Sequence, residues 1–152
     1  MNPEEQTSQR KEWMSVLARA DFPELQRRWQ SLSIKADYSV LRPAEIGMVM
    51  LRGKVNGTGH PFNMGETTVT RCSVKLNSGE IGSSYILGRN KEHAELAALI
   101  DGEMLRDENM QNIADGLLKP LKELEQRRQL KKQQKAAKTK VDFFTFVRGE
   151  SA

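Results

Sequence analysis

The sequence predicts an α+β fold. An antiparallel sheet of about four strands is expected, with N-terminal helices, two or three C-terminal helices and an apolar C-terminal tail. Three observations carry this prediction. Apolar residues recur at helical spacing before residue 33 and again after residue 90. Between those stretches the period switches to alternation, broken by Gly- and Asn-rich turns. The chain has 152 residues, 38% of them hydrophobic, enough for one modest core plus an extension. The expected organisation is one α+β domain over 1–118 with residues 1–10 disordered, a basic helical spacer over 119–140 and an apolar docking tail over 141–152.

Met1 to Gln9 is polar and expected to fray. From Lys11, the residues Trp13, Val16, Leu17 and Ala20 mark the face of a first helix. Asp21-Phe22-Pro23-Glu24 is a helix-start signal, and Leu25, Trp29 and Leu32 form the stripe of a second, shorter helix. Both tryptophans lie on these stripes, so core packing is preferred to ligand stacking. Tyr38 to Arg42 reads as a strand ended by Pro43. Ile46 to Val55 reads as the next. Its apolar residues fall on both faces, which places it centrally, covered on both sides.

Asn56-Gly57-Thr58-Gly59-His60-Pro61 is a loop signal. Its amides could form a phosphate nest, but the Lys-Ser/Thr ending of a P-loop is missing, so a plain inter-strand loop is favoured. Thr67 to Leu76 alternates, with Cys72, Val74 and Leu76 inward and Arg71, Ser73 and Lys75 outward. Asn77-Ser78-Gly79 turns the chain, and Glu80 to Leu87 returns with Ile81, Ser83, Tyr85 and Leu87 sharing one face.

His93, Ala97, Ile100 and Met104 mark a third helix. A polar break at Arg106 to Asn109 precedes Met110, Ile113, Leu117 and Leu118, and Pro120 is expected to break or kink the helix there. The stretch to Lys140 has almost no apolar stripe beyond Leu130, the pattern of a helix that spans solvent, lies on a partner or frays. Three of the five phenylalanines then fall in Val141 to Gly149. An apolar terminal segment of this kind is an aggregation hazard unless covered. It can return to its own sheet as an edge strand or dock on another subunit. The long spacer favours the partner, with Val141, Phe143, Phe144, Phe146, Val147 and Arg148 as the docking residues.

The net charge is +4, but Lys119 to Lys140 alone carries nine Lys/Arg against two Glu, and the rest of the chain is net acidic. Basicity confined to one segment with few aromatics argues against a nucleic-acid partner. One cysteine and two histidines exclude an intrachain disulfide and make a His/Cys metal centre improbable, so no metal is expected. No apolar run approaches the ~20 residues of a membrane span, so a cytoplasmic protein without membrane contact is expected.

The most informative stretch is Gly88-Arg89-Asn90-Lys91-Glu92-His93-Ala94-Glu95. It puts two cations and a histidine at a helix start, where free amides favour anions. Gly88, Arg89 and Lys91 are the anion-binding candidates and His93 a weak catalytic one. A capped helix with a solvated rim is the plainer reading. Glu95 is expected to pair with Lys91. His93-Ala94-Glu95 echoes half of a zinc-deaminase signature, but the required Pro-Cys-x-x-Cys is missing.

These residues resemble a known family: the G subunit of the bacterial carbon–phosphorus lyase core complex (PhnG). The match runs in order through Trp13-Met14-Ser15-Val16-Leu17-Ala18, Ala36-Asp37-Tyr38, Arg42-Pro43-Ala44-Glu45-Ile46-Gly47 and Gly57-Thr58-Gly59. It continues through Gly88 to Glu95 and Ala98-Leu99-Ile100-Asp101, and closes on Val141-Asp142-Phe143-Phe144-Thr145 to Gly149. Glu125 to Lys140 departs from the family pattern. The resemblance implies a hetero-oligomer with two copies each of the G, H, I and J subunits. It implies work with the H and I subunits and an ATPase-like L protein in organic phosphonate catabolism, where a phosphonate displaces adenine from ATP to give a ribose 1-phosphonate 5-triphosphate. ATP is then a substrate of the complex, and no cofactor is bound by this chain. The resemblance assigns nucleosidase chemistry to the I subunit, chiefly contacted here, and C–P cleavage to the J subunit. It leaves this chain an accessory, non-catalytic role. The rival readings are a direct contribution to phosphate or phosphonate binding, and a basic nucleic-acid binder.

Overall fold

The computed structural model describes residues 2–150, without the side chains of Asn56 and of residues 140–150. Helix α1 runs over Pro3–Arg19 and α2 over Phe22–Ser31. Strands β1 (Tyr38–Lys54), β2 (Pro61–Leu76) and β3 (Ile81–Leu87) form one antiparallel sheet in the order β1-β2-β3. Then come α3 (Lys91–Met104), α4 (Asp107–Ile113), a π-helical turn over Ala114–Leu118 and α5 (Lys119–Glu150). The α+β class is as the sequence predicts.

Local chemistry explains most boundaries. Asn2 caps α1 by accepting from the Glu4 amide, and Pro3, Glu4 and Glu5 fill a first turn that suits proline and carboxylates. The helix therefore begins at Pro3, inside the stretch expected to be disordered. Pro23 occupies the first turn of α2, as the start signal requires.

Four predicted strands become three. Tyr38 to Arg42 and Ile46 to Val55 are halves of one long β1. Pro43 sits inside it, on the sheet's edge, within the register shift between Arg42 and Glu45 that follows another between Val40 and Arg42. A bulged edge strand tolerates a proline because no ladder hydrogen bond is needed from it. The central position expected for Ile46 to Val55 is also corrected. β2 is the central strand, and β3 pairs with it only from Val69 onward. Beyond that point β1 and β2 continue as a two-stranded ribbon, roughly 25 Å long at ~3.3 Å per residue, exposed on both faces. The loop from Val55 to His60 is its tip, a single 3₁₀ turn with Gly57 at φ 74°.

Helix α3 lies between sheet and helices. Ala94 and Ala98 pack on Cys72, Val74 and Ile86 of the sheet. Ala97, Ile100 and Met104 face the larger core formed by Trp13, Val16, Leu17, Leu25, Ile113, Leu117 and Leu121. Almost every residue from His93 to Met104 is buried, as expected of a helix packed on two sides. Ile81, Ser83, Tyr85 and Leu87 do share a face of β3, but it is the outer one, and Gly82, Ser84 and Ile86 point to α3.

Pro120 does not break the chain. The π turn immediately before it widens the helix where a proline cannot donate back and its ring crowds the preceding carbonyl. α5 is tied to α1 at its start by Arg19–Glu125 (3.0 Å) and Lys122–Glu12. Past Leu130 its described residues are exposed. The backbone stays helical through Val141 to Gly149, so that segment is not an edge strand of its own sheet. The side chains of Val141, Phe143, Phe144, Phe146, Val147 and Arg148 lie outside the described residues.

Candidate functional site

The entrance to α3 is built by Thr70 of β2. Gly88, at φ 94°, donates its amide to Thr68 O at 2.8 Å as the chain leaves β3. The Thr70 hydroxyl donates to Gly88 O at 2.6 Å and accepts from the Asn90 amide at 3.3 Å. The Asn90 side chain then accepts from the His93 amide at 2.9 Å, capping the helix. Arg89 and Lys91 are exposed on the rim of this turn. Among the described residues neither is held in an ion pair.

His93 points the other way. It is buried, stacks on Phe22 with ring centroids 5.6 Å apart, and its Nε2 lies 2.8 Å from Leu17 O. That carbonyl is among the last four of α1, which have no partner within their own helix. A donor is required there, which assigns the proton to Nε2. Gly88, Arg89 and Lys91 thus share the rim, while the imidazole closes the end of α1 beneath it.

Burial pushes the His93 imidazole below its ordinary value, with the Leu17 carbonyl opposing more weakly. The unfolded chain then binds more protons than the folded one just below that value. Stability should fall as pH drops through about 6.5 and level off below the folded value. Urea unfolding between pH 7 and 5 should show this slope reduced in His93→Gln. An unchanged slope would remove His93 from the account.

Cys72 is the buried small residue its strand position predicts, with Sγ donating to Arg42 O at 3.3 Å and burial raising its pKa. Glu95 does not pair with Lys91. It accepts from the Tyr38 hydroxyl at 2.8 Å, joining α3 to β1. Burial, then the Glu95 hydrogen bond and charge, push that phenol up to about 12.

A further surface feature is apolar. Met48 (62% exposed), Met50, Val55, Phe62 and Met64 (65%) stand uncovered on the ribbon, and Ile81, Tyr85 and Leu87 (68%) on the outer face of β3. Scattered exposed apolar residues are ordinary, but contiguous patches mark interaction surfaces. The apolar residues on both faces of Ile46 to Val55 are the sequence signal for this feature. They match the pattern of a doubly covered strand, but in the structure they stand uncovered.

Sequence reasoning missed the centre of the buried polar chemistry. Asp101, wholly buried on α3, accepts from Arg10 Nη2 (2.7 Å) and Nε (3.2 Å), from Trp13 Nε1 (2.8 Å) and from the Ser83 amide (2.8 Å). The available signal was a carboxylate two turns past His93 on an apolar stripe. Among the described residues, no group of three His, Cys, Asp or Glu side chains is placed to hold a metal ion, and no helix is long and apolar enough to cross a membrane.

The family model of the phosphonate metabolism protein PhnG matches residues 8–149. The chain belongs to the PhnG family. One curated relative is a protein of Rhizobium meliloti (strain 1021), described as alpha-D-ribose 1-methylphosphonate 5-triphosphate synthase subunit PhnG. It is 39% identical over 143 residues, covering 94% of this chain and 91% of the relative. The matched region takes in the Thr70-pinned turn, the ribbon and the Asp101 node.

Proposed function

We propose that this chain is a docking subunit of a ribose 1-methylphosphonate 5-triphosphate synthase, working by assembly rather than by chemistry of its own. Its partners in this reading are the H, I and J subunits, chiefly I, with the ATPase-like L protein. ATP and a phosphonate are substrates of the whole assembly, in the cytoplasm. The supporting observation is the uncovered apolar ribbon of β1 and β2. A hairpin this long, with exposed apolar residues on both faces and no third strand, is costly to leave in water and fits between partner surfaces. The apolar tail from Val141 to Val147 suits the same role.

The test is co-expression with the candidate partner subunits, followed by size-exclusion chromatography with mass measurement. Wild type should co-elute with them. Met48→Glu combined with Met64→Glu should keep its thermal midpoint, because both side chains are exposed, yet leave the complex. A chain ending at Lys140 separates the tail's share. Normal assembly of the double variant, or a wild-type chain that stays monomeric beside the others, would refute the reading.

A further inference from the structure

A second surface lies beside the helical core, where α2, α3 and the start of β1 enclose an open groove of about 390 Å³. Its walls include the rings of Phe22, Trp29 and Tyr38 and the side chain of Leu96, and its polar edge is formed by Glu92 and Glu95. None of the residues lining it is basic.

Glu95, like Glu80 of the turn before β3, has no salt-bridge partner among the described residues, whereas the remaining partly or fully buried carboxylates carry arginines. Glu24 has Arg27 and Arg28, Asp101 has Arg10, Glu103 has Arg106, and Glu125 has Arg19. Glu95 is half-buried and has the Tyr38 hydroxyl on one oxygen. Among the described residues no cation lies within salt-bridge reach of it. That hydrogen bond fixes both the carboxylate and the phenol ring at the groove's edge.

We infer that the groove receives an arginine side chain of a partner subunit, its guanidinium over the Trp29 and Tyr38 rings and its N–H groups on Glu95 and Glu92. The chemistry selects this occupant. Flat aromatic walls attract a cation through their ring faces. A carboxylate accepts the planar fork of a guanidinium with two parallel hydrogen bonds, which a lysine ammonium cannot match. An anion or a purely apolar side chain would leave Glu92 and Glu95 facing it without compensation. The groove thus complements the ribbon: the ribbon contributes apolar area, and the groove supplies charge and register.

This inference rests on the subunit reading, and the experiment keeps the two apart. The full chain and the Glu92→Gln, Glu95→Gln double variant are titrated against the co-purified partner subunits at 50 and 300 mM salt. Glutamine can still accept from Tyr38, so the fold and thermal midpoint should persist. The variant should bind at least tenfold more weakly at low salt and lose most of the wild-type salt dependence. If wild type does not bind the partners, the subunit reading fails and this inference with it. If wild type binds and the variant matches it in affinity and salt dependence, only the groove assignment is overturned. Titration of the isolated chain with spermidine is the remaining arm. Saturable binding that the double variant loses would assign the groove to a small organic cation instead, and would also overturn the proposal.

Discussion

Replacing Asp101 by alanine should cost about 3–5 kcal/mol of unfolding free energy, the range for breaking a buried ion pair by removing one partner. The carboxylate is 0% exposed and accepts four hydrogen bonds, from α1 through Arg10 and Trp13 and from β3 through the Ser83 amide. Truncation leaves the Trp13 indole and the Ser83 amide without acceptors in a dry site, each costing about 1–3 kcal/mol. Arg10 loses less, because its side chain is 35% exposed and can be resolvated. The lower half of the range is therefore the expectation. Total stabilities of such domains are only about 5–15 kcal/mol, so the loss is a large fraction. Asp101→Asn keeps the volume and can still accept from Trp13 or Ser83, but turns an amide toward Arg10, and should fall between alanine and wild type. Asp115→Asn, at an exposed position, is the control and should stay within ~0.5 kcal/mol. Urea unfolding of the three variants decides it. A loss below 1 kcal/mol for Asp101→Ala would show that the node is not what joins α1 to the sheet.

That node also shows where the sequence was legible and where it was not. Helices and their inward faces could be read because period and burial coincide. His93, Ala97, Ile100 and Met104 are buried as predicted, as are Cys72, Val74 and Leu76 on β2. The reading failed where one pattern serves two environments. Met48, Val49, Met50 and Leu51 make the unbroken apolar run of a doubly covered strand, yet Met48, Met50 and Leu51 face solvent, because such a run does not say whether other elements of the chain lie over it. Pro43 reads as a strand terminator in the sequence because its effect depends on whether its strand is central or at an edge, which only the assembled sheet decides. At the candidate site, the turn through Gly88 and Asn90 was recognisable as a helix start. Thr70, the residue that pins it, lies on another strand, and nothing local announces that pairing. His93 stood correctly on the inner face, but its task of closing α1 at Leu17 depends on a contact 76 residues away. Helical spacing alone pairs Glu95 with Lys91, and the tertiary contact with Tyr38 prevails because α3 turns that carboxylate toward β1.

Gly82→Ala should be the most damaging single methyl in the protein. A Cβ built at Gly82 falls 1.9 Å from Ala98 O, 2.5 Å from Gly102 N and 2.9 Å from Gly102 Cα, all of them backbone atoms of α3. No rotamer change relieves such a clash, so α3 must move off β3. Overpacking usually costs about 1–3 kcal/mol where side chains can adjust, and here they cannot, so a loss beyond roughly 3 kcal/mol or failure to fold is expected. Separating the two elements would also disturb the Ala94 and Ala98 packing on Cys72, Val74 and Ile86, and pull Asp101 from the Ser83 amide. Two other glycines set the scale. At Gly102 the added carbon would sit 3.3 Å from a Leu76 side-chain atom and 3.4 Å from Gly82 N, a tight contact that leucine can partly yield to, so about 1 kcal/mol is expected. At Gly47, on the open edge strand, nothing lies within 4 Å, and alanine should be neutral or slightly stabilising through the unfolded chain. Soluble yield and thermal midpoints of the three variants should therefore rank Gly47→Ala above Gly102→Ala, with Gly82→Ala far below both. A Gly82→Ala protein as stable as the Gly47→Ala one would mean that α3 and β3 do not meet backbone to backbone. The rigid seat of the α3 entrance, on which the Thr70-pinned turn and the Glu95 groove both depend, would fall with that contact.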